Sequence, residues 1–119
     1  MSSINKVILI GHVGKSPDYR KLNGDISVVS FPLATTTMHK QDGKNVESTE
    51  WHNIIIWRDM ADIAARLLEK GKLIYVDGKL QTRSFEKDGI IRYTTEIIAN
   101  NFTLLGRQSD FAAVAEQVW

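Results

Sequence analysis

Ser48-Thr49-Glu50-Trp51-His52-Asn53-Ile54-Ile55-Ile56-Trp57 decides how the rest of the chain is arranged, for it holds two of the three tryptophans. In an extended strand successive side chains point to opposite faces. Trp51 and Trp57 therefore project from the same side, roughly 20 Å apart at about 3.3 Å per residue. That separation suits two independent flat platforms. The alternate positions His52, Ile54 and Ile56 form a mostly branched aliphatic face that calls for a core. The segment predicts a strand that is apolar inside and carries two broad rings outside. Tryptophan is usually largely buried, so this strand alone leaves open whether the indoles belong to a core or to a binding face.

With 119 residues the chain suffices for one domain with a core of its own. It has no cysteine, so neither disulfides nor thiolate metal ligands contribute. The histidines His12, His39 and His52 are scattered. No nucleophile–base pair, metal-ligand cluster or pair of carboxylates stands at a catalytic spacing, so the chain does not read as an enzyme and no metal or cofactor is expected. Ser2, Ser3, Asn5 and Lys6 interrupt any signal-peptide pattern, and no window approaches the eighteen or so apolar residues of a membrane span. The expectation is a cytoplasmic protein. Fifteen Lys and Arg against fourteen Asp and Glu leave a formal charge of +1, so charge matters only through its placement.

In chain order, Ile4 to Gly11 is apolar on both faces from Val7 to Ile10 and predicts a first strand covered on each side, one cover being another subunit. Gly11 to Asp18 reads as a loop. Its Gly14-Lys15-Ser16 resembles the end of a phosphate-cradling loop, but Leu9 stands where that motif needs glycine and Pro17 where it needs a helix. The loop continues through Tyr19, Arg20 and Lys21 to the hairpin signal Asn23-Gly24-Asp25. Ile26 to Thr36 predicts a second strand with Val29, Phe31 and Leu33 on one face, and Met38 to Val46 a long polar hairpin loop carrying His39, Lys40 and Lys44. After the tryptophan strand, Asp59 is expected to cap a helix with Met60, Ile63, Ala64 and Leu67 inward and Gly71 ending it. Leu73 to Arg83 alternates as a fourth strand. Ser84 to Gly89 is expected to be a loop with Phe85 and Lys87, and Ile90 to Ala99 a fifth strand with Tyr93, Ile97 and Ala99 on one face. Past Gly106, Phe111, Val114, Ala115 and Val118 have helical spacing, but so short a helix needs something to dock on.

Three strands, one helix and two strands, mostly joined by hairpins, match an all-β fold: the five-stranded Greek-key barrel of the OB type, with its helix between strands three and four. Such barrels bind oligonucleotides on strands two and three and with the loops joining strands one to two and four to five. Trp51 and Trp57 fall on the third strand. Lys15, Arg20 and Lys21 fall in the first of those loops; Arg83, Phe85 and Lys87 fall in the second. Aromatics interleaved with cations are what an unpaired strand needs, since its bases stack on flat rings while cations follow its phosphates.

Asn5-Lys6-Val7-Ile8-Leu9-Ile10-Gly11, Thr49-Glu50-Trp51-His52, Val76-Asp77-Gly78-Lys79-Leu80-Gln81-Thr82-Arg83 and Arg92-Tyr93-Thr94-Thr95-Glu96 resemble the signature segments of the bacterial single-stranded DNA-binding (SSB) family, in register from about Ile4 to Gly106. The resemblance implies a homotetramer of OB folds that coats single-stranded DNA in replication, recombination and repair, in the cytoplasm at the nucleoid. It places stacking on Trp51, Trp57 and Phe85, with His39 where relatives often have a further ring. Phosphate contacts are expected from Lys15, Arg20, Lys21, Lys40, Lys44, Arg83 and Lys87. His52 is assigned to a subunit contact, with Val7 and Leu9 of the first strand. The binding domain is expected over 1–106 and a short C-terminal segment over 107–119. The family's long tail with an acidic tip that recruits replication and repair proteins has no counterpart before Glu116-Gln117-Val118-Trp119. A second reading, an OB-fold adaptor resembling the primosomal protein PriB, has no need of two outward indoles on one strand.

Overall fold

A computed structural model of the chain describes residues 2–106; the 107–119 segment and its helical spacing lie outside the described residues. Six strands and one helix follow in order: β1 Val7–Val13, β2 Asp18–Leu22, β3 Ile26–Gln41, β4 Lys44–Trp57, α1 Asp59–Leu67, β5 Leu73–Lys87 and β6 Ile90–Leu104. The sheet order is β1-β5-β6-β4-β3-β2, and a further pairing of β1 with β3 closes the first five into a barrel. All pairings are antiparallel except β4 with β6, where Ile54 meets Ile97 and Ile55 meets Ile98. This is the expected five-stranded barrel.

The core is built by alternation. Val29, Phe31 and Leu33 of β3 face Ile54 and Ile56 of β4, Ile74 and Val76 of β5, and Ile97 of β6, all buried. Closing a barrel brings backbones together where strands bend, and glycine sits at two such points. A Cβ on Gly11 would lie 2.2 Å from the Ala34 carbonyl oxygen, and one on Gly78 2.1 Å from that of Ile98. Gly78 adjoins the register shift between β5 and β6. Beyond Val7 the ladder is continued by a side chain: the Asn5 amide donates to the Leu80 carbonyl at 2.9 Å and accepts from the Leu80 N–H at 3.0 Å.

Three expectations from sequence are corrected. Met38 to Val46 and Ser84 to Gly89 are not loops but the outer parts of two long ribbons. Asp42-Gly43 (φ 53° and 77°) and Asp88-Gly89 (φ 54° and 76°) make two-residue turns with both central residues left-handed, the kind that carries strand pairing through to the tip. Tyr19 to Leu22 likewise belongs to β2, which pairs with β3 from Asp18↔Ser30 to Leu22↔Ile26. Finally, Asp59 is the first residue of α1 and not its cap; Arg58 occupies the cap position at φ 64° with no side-chain hydrogen bond. This start rotates the helix so that Ala61, Ala64 and Leu68 are buried, while Ile63 and Leu67 are exposed. Small alanines let the helix close the end of the barrel at short range.

The helix is tied to β2 by a polar contact. Tyr19 donates its hydroxyl to Asp62 Oδ1 at 2.8 Å, and Ser27 Oγ lies 3.2 Å from the Tyr19 hydroxyl oxygen. Hydrogen bonds from Ser27 and Tyr19 hold the Asp62 carboxyl below its usual range. A depressed carboxylate contributes stability above its unfolded value, about 3.9, and loses it as pH falls through the lower folded value. Asp62→Asn is therefore expected to be less stable than wild type at pH 6–7, with the two melting temperatures converging below about pH 4. Parallel curves across that range would show that the contact contributes nothing.

Candidate nucleic-acid interface

The outer face of the barrel is set by β4. Trp51, Asn53, Ile55 and Trp57 alternate outward, opposite Ala34, Pro32, Ser30 and Val28 of β3 in an unbroken register. Trp51 is 61% and Trp57 40% exposed, so both indoles lie outside the core. Each is held differently. Trp51 rests its ring edge against the loop after β1: a Cβ on Gly14 would come 2.4 Å from the ring, and the Gly14 N–H is fixed on the Pro32 carbonyl at 2.8 Å. Trp57 lines a groove of about 830 Å³ together with Lys15, Arg20, Arg83 and Glu96. The groove thus gathers one cation from the loop after β1, one from β2 and one from β5 beside an aromatic ring.

The β5–β6 ribbon continues this surface. Cross-strand register puts Gln81 opposite Glu96, Arg83 opposite Thr94, Phe85 opposite Arg92 and Lys87 opposite Ile90, all on one face. The Arg83 guanidinium stands 5.8 Å from the centre of the Phe85 ring, within cation–π range. It donates from Nε to Glu96 Oε1 at 2.9 Å, and this hydrogen bond with the carboxylate's charge raises its pKa above the ordinary arginine range. Arg20 is paired in the same groove with Asp18, Nη2 to Oδ2 at 3.0 Å.

The sequence model of the Single-strand binding protein family matches residues 4–105. The chain belongs to this family. It is 43% identical over 110 residues to the single-stranded DNA-binding protein of Neisseria meningitidis and 44% identical over 106 residues to single-stranded DNA-binding protein 1 of Chlorobaculum tepidum. These alignments cover 91% and 87% of this chain but only 63% and 65% of the relatives, so the chain spans less than two thirds of their length. Among solved structures, the Plasmodium falciparum SSB in complex with ssDNA superposes with a TM-score of 0.80 at 33% identity, over 88% of this chain and 97% of that one. The protein from Thermus aquaticus does so at 0.76 and 32%, covering 87% and 52%.

The structure gathers some of the residues assigned from sequence and separates others. Trp51, Trp57, Lys15 and Arg20 share the outer face of the barrel, with Arg83, Phe85 and Lys87 along its ribbon. Lys40, opposite Asn45, lies on the tryptophan side of the β3–β4 ribbon. His39, opposite Val46, and Lys44, opposite Gln41, lie on the reverse side of that ribbon, continuous with His52. Lys21 is a similar case. Opposite Ser27, it shares the Tyr19 side of β2, while Arg20 shares the groove side with Asp18. For subunit contacts, Val7 and Leu9 pack on the chain's own core, which leaves Ile8 and Ile10 on the outer side of β1. His52 is half-buried opposite Leu33, with Nε2 at 2.8 Å from Thr35 Oγ1. Two residues that share this face of the ribbon with Arg83 and Phe85 escaped the sequence reading, Gln81 and Arg92. Counting outward from the Asp88-Gly89 turn would have paired Arg92 with Phe85.

Among the described residues no group of three or more His, Cys, Asp or Glu could hold a metal ion, and no helix is long and apolar enough to cross a membrane.

Proposed function

We propose that this chain is a non-catalytic coat for single-stranded DNA, with little sequence preference, acting in replication, recombination and repair at the nucleoid. The observation that carries the reading is the shared outward face of Trp51 and Trp57 running into a groove that gathers Lys15, Arg20 and Arg83. Bases stack on Trp51, Trp57 and Phe85; phosphates follow Lys15, Arg20, Lys40, Arg83, Lys87 and Arg92. The binding unit is the 1–106 domain. Its oligomer is a homotetramer, supported by Ile8 and Ile10 on the outer side of β1 and by the edge of β1 before His12, which pairs with β5 alone. His52 and its Thr35 contact belong to assembly and not to stacking.

Binding is expected to be salt-sensitive and nearly indifferent to sequence. Each phosphate neutralised on a single strand contributes about −0.7 to the slope of log affinity against log salt, so contacts from all six of these cations would give a slope of about −4. Every base has a π-face, so a mixed-sequence oligomer should bind almost as well as oligo-dT. A duplex of the same length should bind far more weakly, because its bases are already stacked and cannot reach the rings. Tryptophan fluorescence titrations with the three ligands at several salt concentrations test this. Equal affinity for duplex and single strand would mean that charge alone acts, and the stacking mechanism would be abandoned.

A further inference from the structure

Both arginines in the groove already hold a carboxylate, and the two pairs are not equivalent. Arg20 and Asp18 are largely exposed, an arrangement in which an ion pair contributes little. The Glu96 side chain, by contrast, is only 11% exposed, while its partner Arg83 is 58% exposed. Glu96 stands on β6 opposite Gln81, so alternation aims it at the face that carries Arg83 and Phe85. It lies in the wall of the same groove as Trp57. A pair with only one partner buried is weak evidence for stability, since apolar replacements of buried pairs are often no worse and exposed partners contribute little. Its electrostatic effect on a bound polyanion is more direct. Three cations and two carboxylates line the groove, so an approaching strand meets one net positive charge and not three. A phosphodiester and a carboxylate present the same kind of oxygen to a guanidinium. The Arg83 Nε–H is already taken by the carboxylate, and any phosphate that reaches Arg83 lies within a few ångströms of the Glu96 charge.

Resting on the single-strand reading above, we infer that Glu96 is an affinity-limiting residue: an internal counter-anion that occupies Arg83 in the free protein and repels the backbone of the bound strand. The groove then grips single-stranded DNA less tightly than its cations alone would, and a bound strand can be shifted or released without a large barrier.

The test uses the full chain, oligo-dT of fixed length, low salt and tryptophan quenching. Glu96→Gln keeps the side chain's shape and an oxygen for the Arg83 Nε–H but removes the charge. It is expected to bind about five- to tenfold more tightly, as for one unit charge removed a few ångströms from the phosphate path, with the gain shrinking as salt rises. Asp18→Asn, on the exposed pair, should tighten binding by about twofold. Arg83→Gln leaves Glu96 without its partner, so Arg83→Gln/Glu96→Gln should bind at least fivefold more tightly than Arg83→Gln. This second comparison holds even if Glu96→Gln alone folds poorly, because the double variant leaves no unpaired charge in the groove. Affinity of Glu96→Gln equal to or below wild type, or a double variant no tighter than Arg83→Gln, overturns the inference and makes Glu96 a positioning group for Arg83. A wild-type chain that does not bind oligo-dT at all would instead remove the single-strand reading itself.

Discussion

Trp51→Ala and Trp57→Ala are each expected to weaken oligo-dT binding by about 1–3 kcal/mol, the usual worth of one base–aromatic stack, while stability changes by no more than about 1 kcal/mol. The separation of the two readouts follows from where the rings sit. Both lie on the outer face of β4, and the core residues Ile54 and Ile56 belong to the opposite face of the same strand. Roughly 20 Å of strand between the rings lets each serve a different base, so the double variant should lose about the sum of the single effects. Either variant unfolding easily while its remaining folded fraction binds normally would place that indole in the core. A double variant no worse than the singles would mean that the rings act on one base or on none.

The largest loss of stability is expected at two glycines inside strands, Gly11 of β1 and Gly78 of β5, neither of which has a left-handed backbone. Gly78→Ala would place its Cβ 2.1 Å from the Ile98 carbonyl oxygen and 2.9 Å from the Ala99 Cα, both backbone atoms of the neighbouring strand. Neither can rotate away, so β5 and β6 would have to separate at the bulge. Gly11→Ala makes the equivalent demand on β3, 2.2 Å from the Ala34 carbonyl oxygen, beside the point where β1 leaves β5 to pair with β3. Each is expected to destabilise the domain by about 3 kcal/mol or more, at or above the usual range for overpacking. Gly24→Ala provides the contrast: it meets nothing within 4 Å and suffers only from its φ of 80°, at about 1 kcal/mol. Urea denaturation ranks the three. Equal effects would show that backbone conformation, and not strand contact, governs these positions.

Much of the barrel was legible because its strands obey one simple rule. Strict alternation set Val29, Phe31 and Leu33 against Ile54 and Ile56, and by the same count put Trp51 and Trp57 outside. The arms of the two ribbons were not legible. Beyond the barrel both ribbon faces are wet, so Met38 to Val46 carries no hydrophobic alternation, and only the Asp42-Gly43 and Asp88-Gly89 turns betray that pairing continues. His39 and Lys44 show how much depends on that register, since a shift of one residue exchanges faces. Lys21 was misplaced for the same reason: with Tyr19 to Leu22 read as a loop, nothing distinguished it from Arg20. The helix stripe failed by about one residue because its start is set by the left-handed Arg58 and not by Asp59. The pairing of Glu96 with Arg83 is a diagonal contact between two strands, and no spacing within either strand announces it.

The position of β1 in the sheet also governs the order in which the molecule can form. Its partners on β5 begin at Leu73, and the amide clasp of Asn5 on Leu80 spans 75 residues. At a synthesis rate of about 5–20 residues per second, β1 waits some 4–15 s for that partner to leave the ribosome. Meanwhile β3 and β4, joined by a two-residue turn, can pair on the microsecond scale of a hairpin. The tryptophan strand is therefore paired early, while most of β1 waits for β5, and closure of the barrel is slow because it is dominated by distant contacts. Until then Val7 to Ile10, apolar on both sides, remains without the strand that covers it, and that interval is when the nascent chain is most exposed to aggregation.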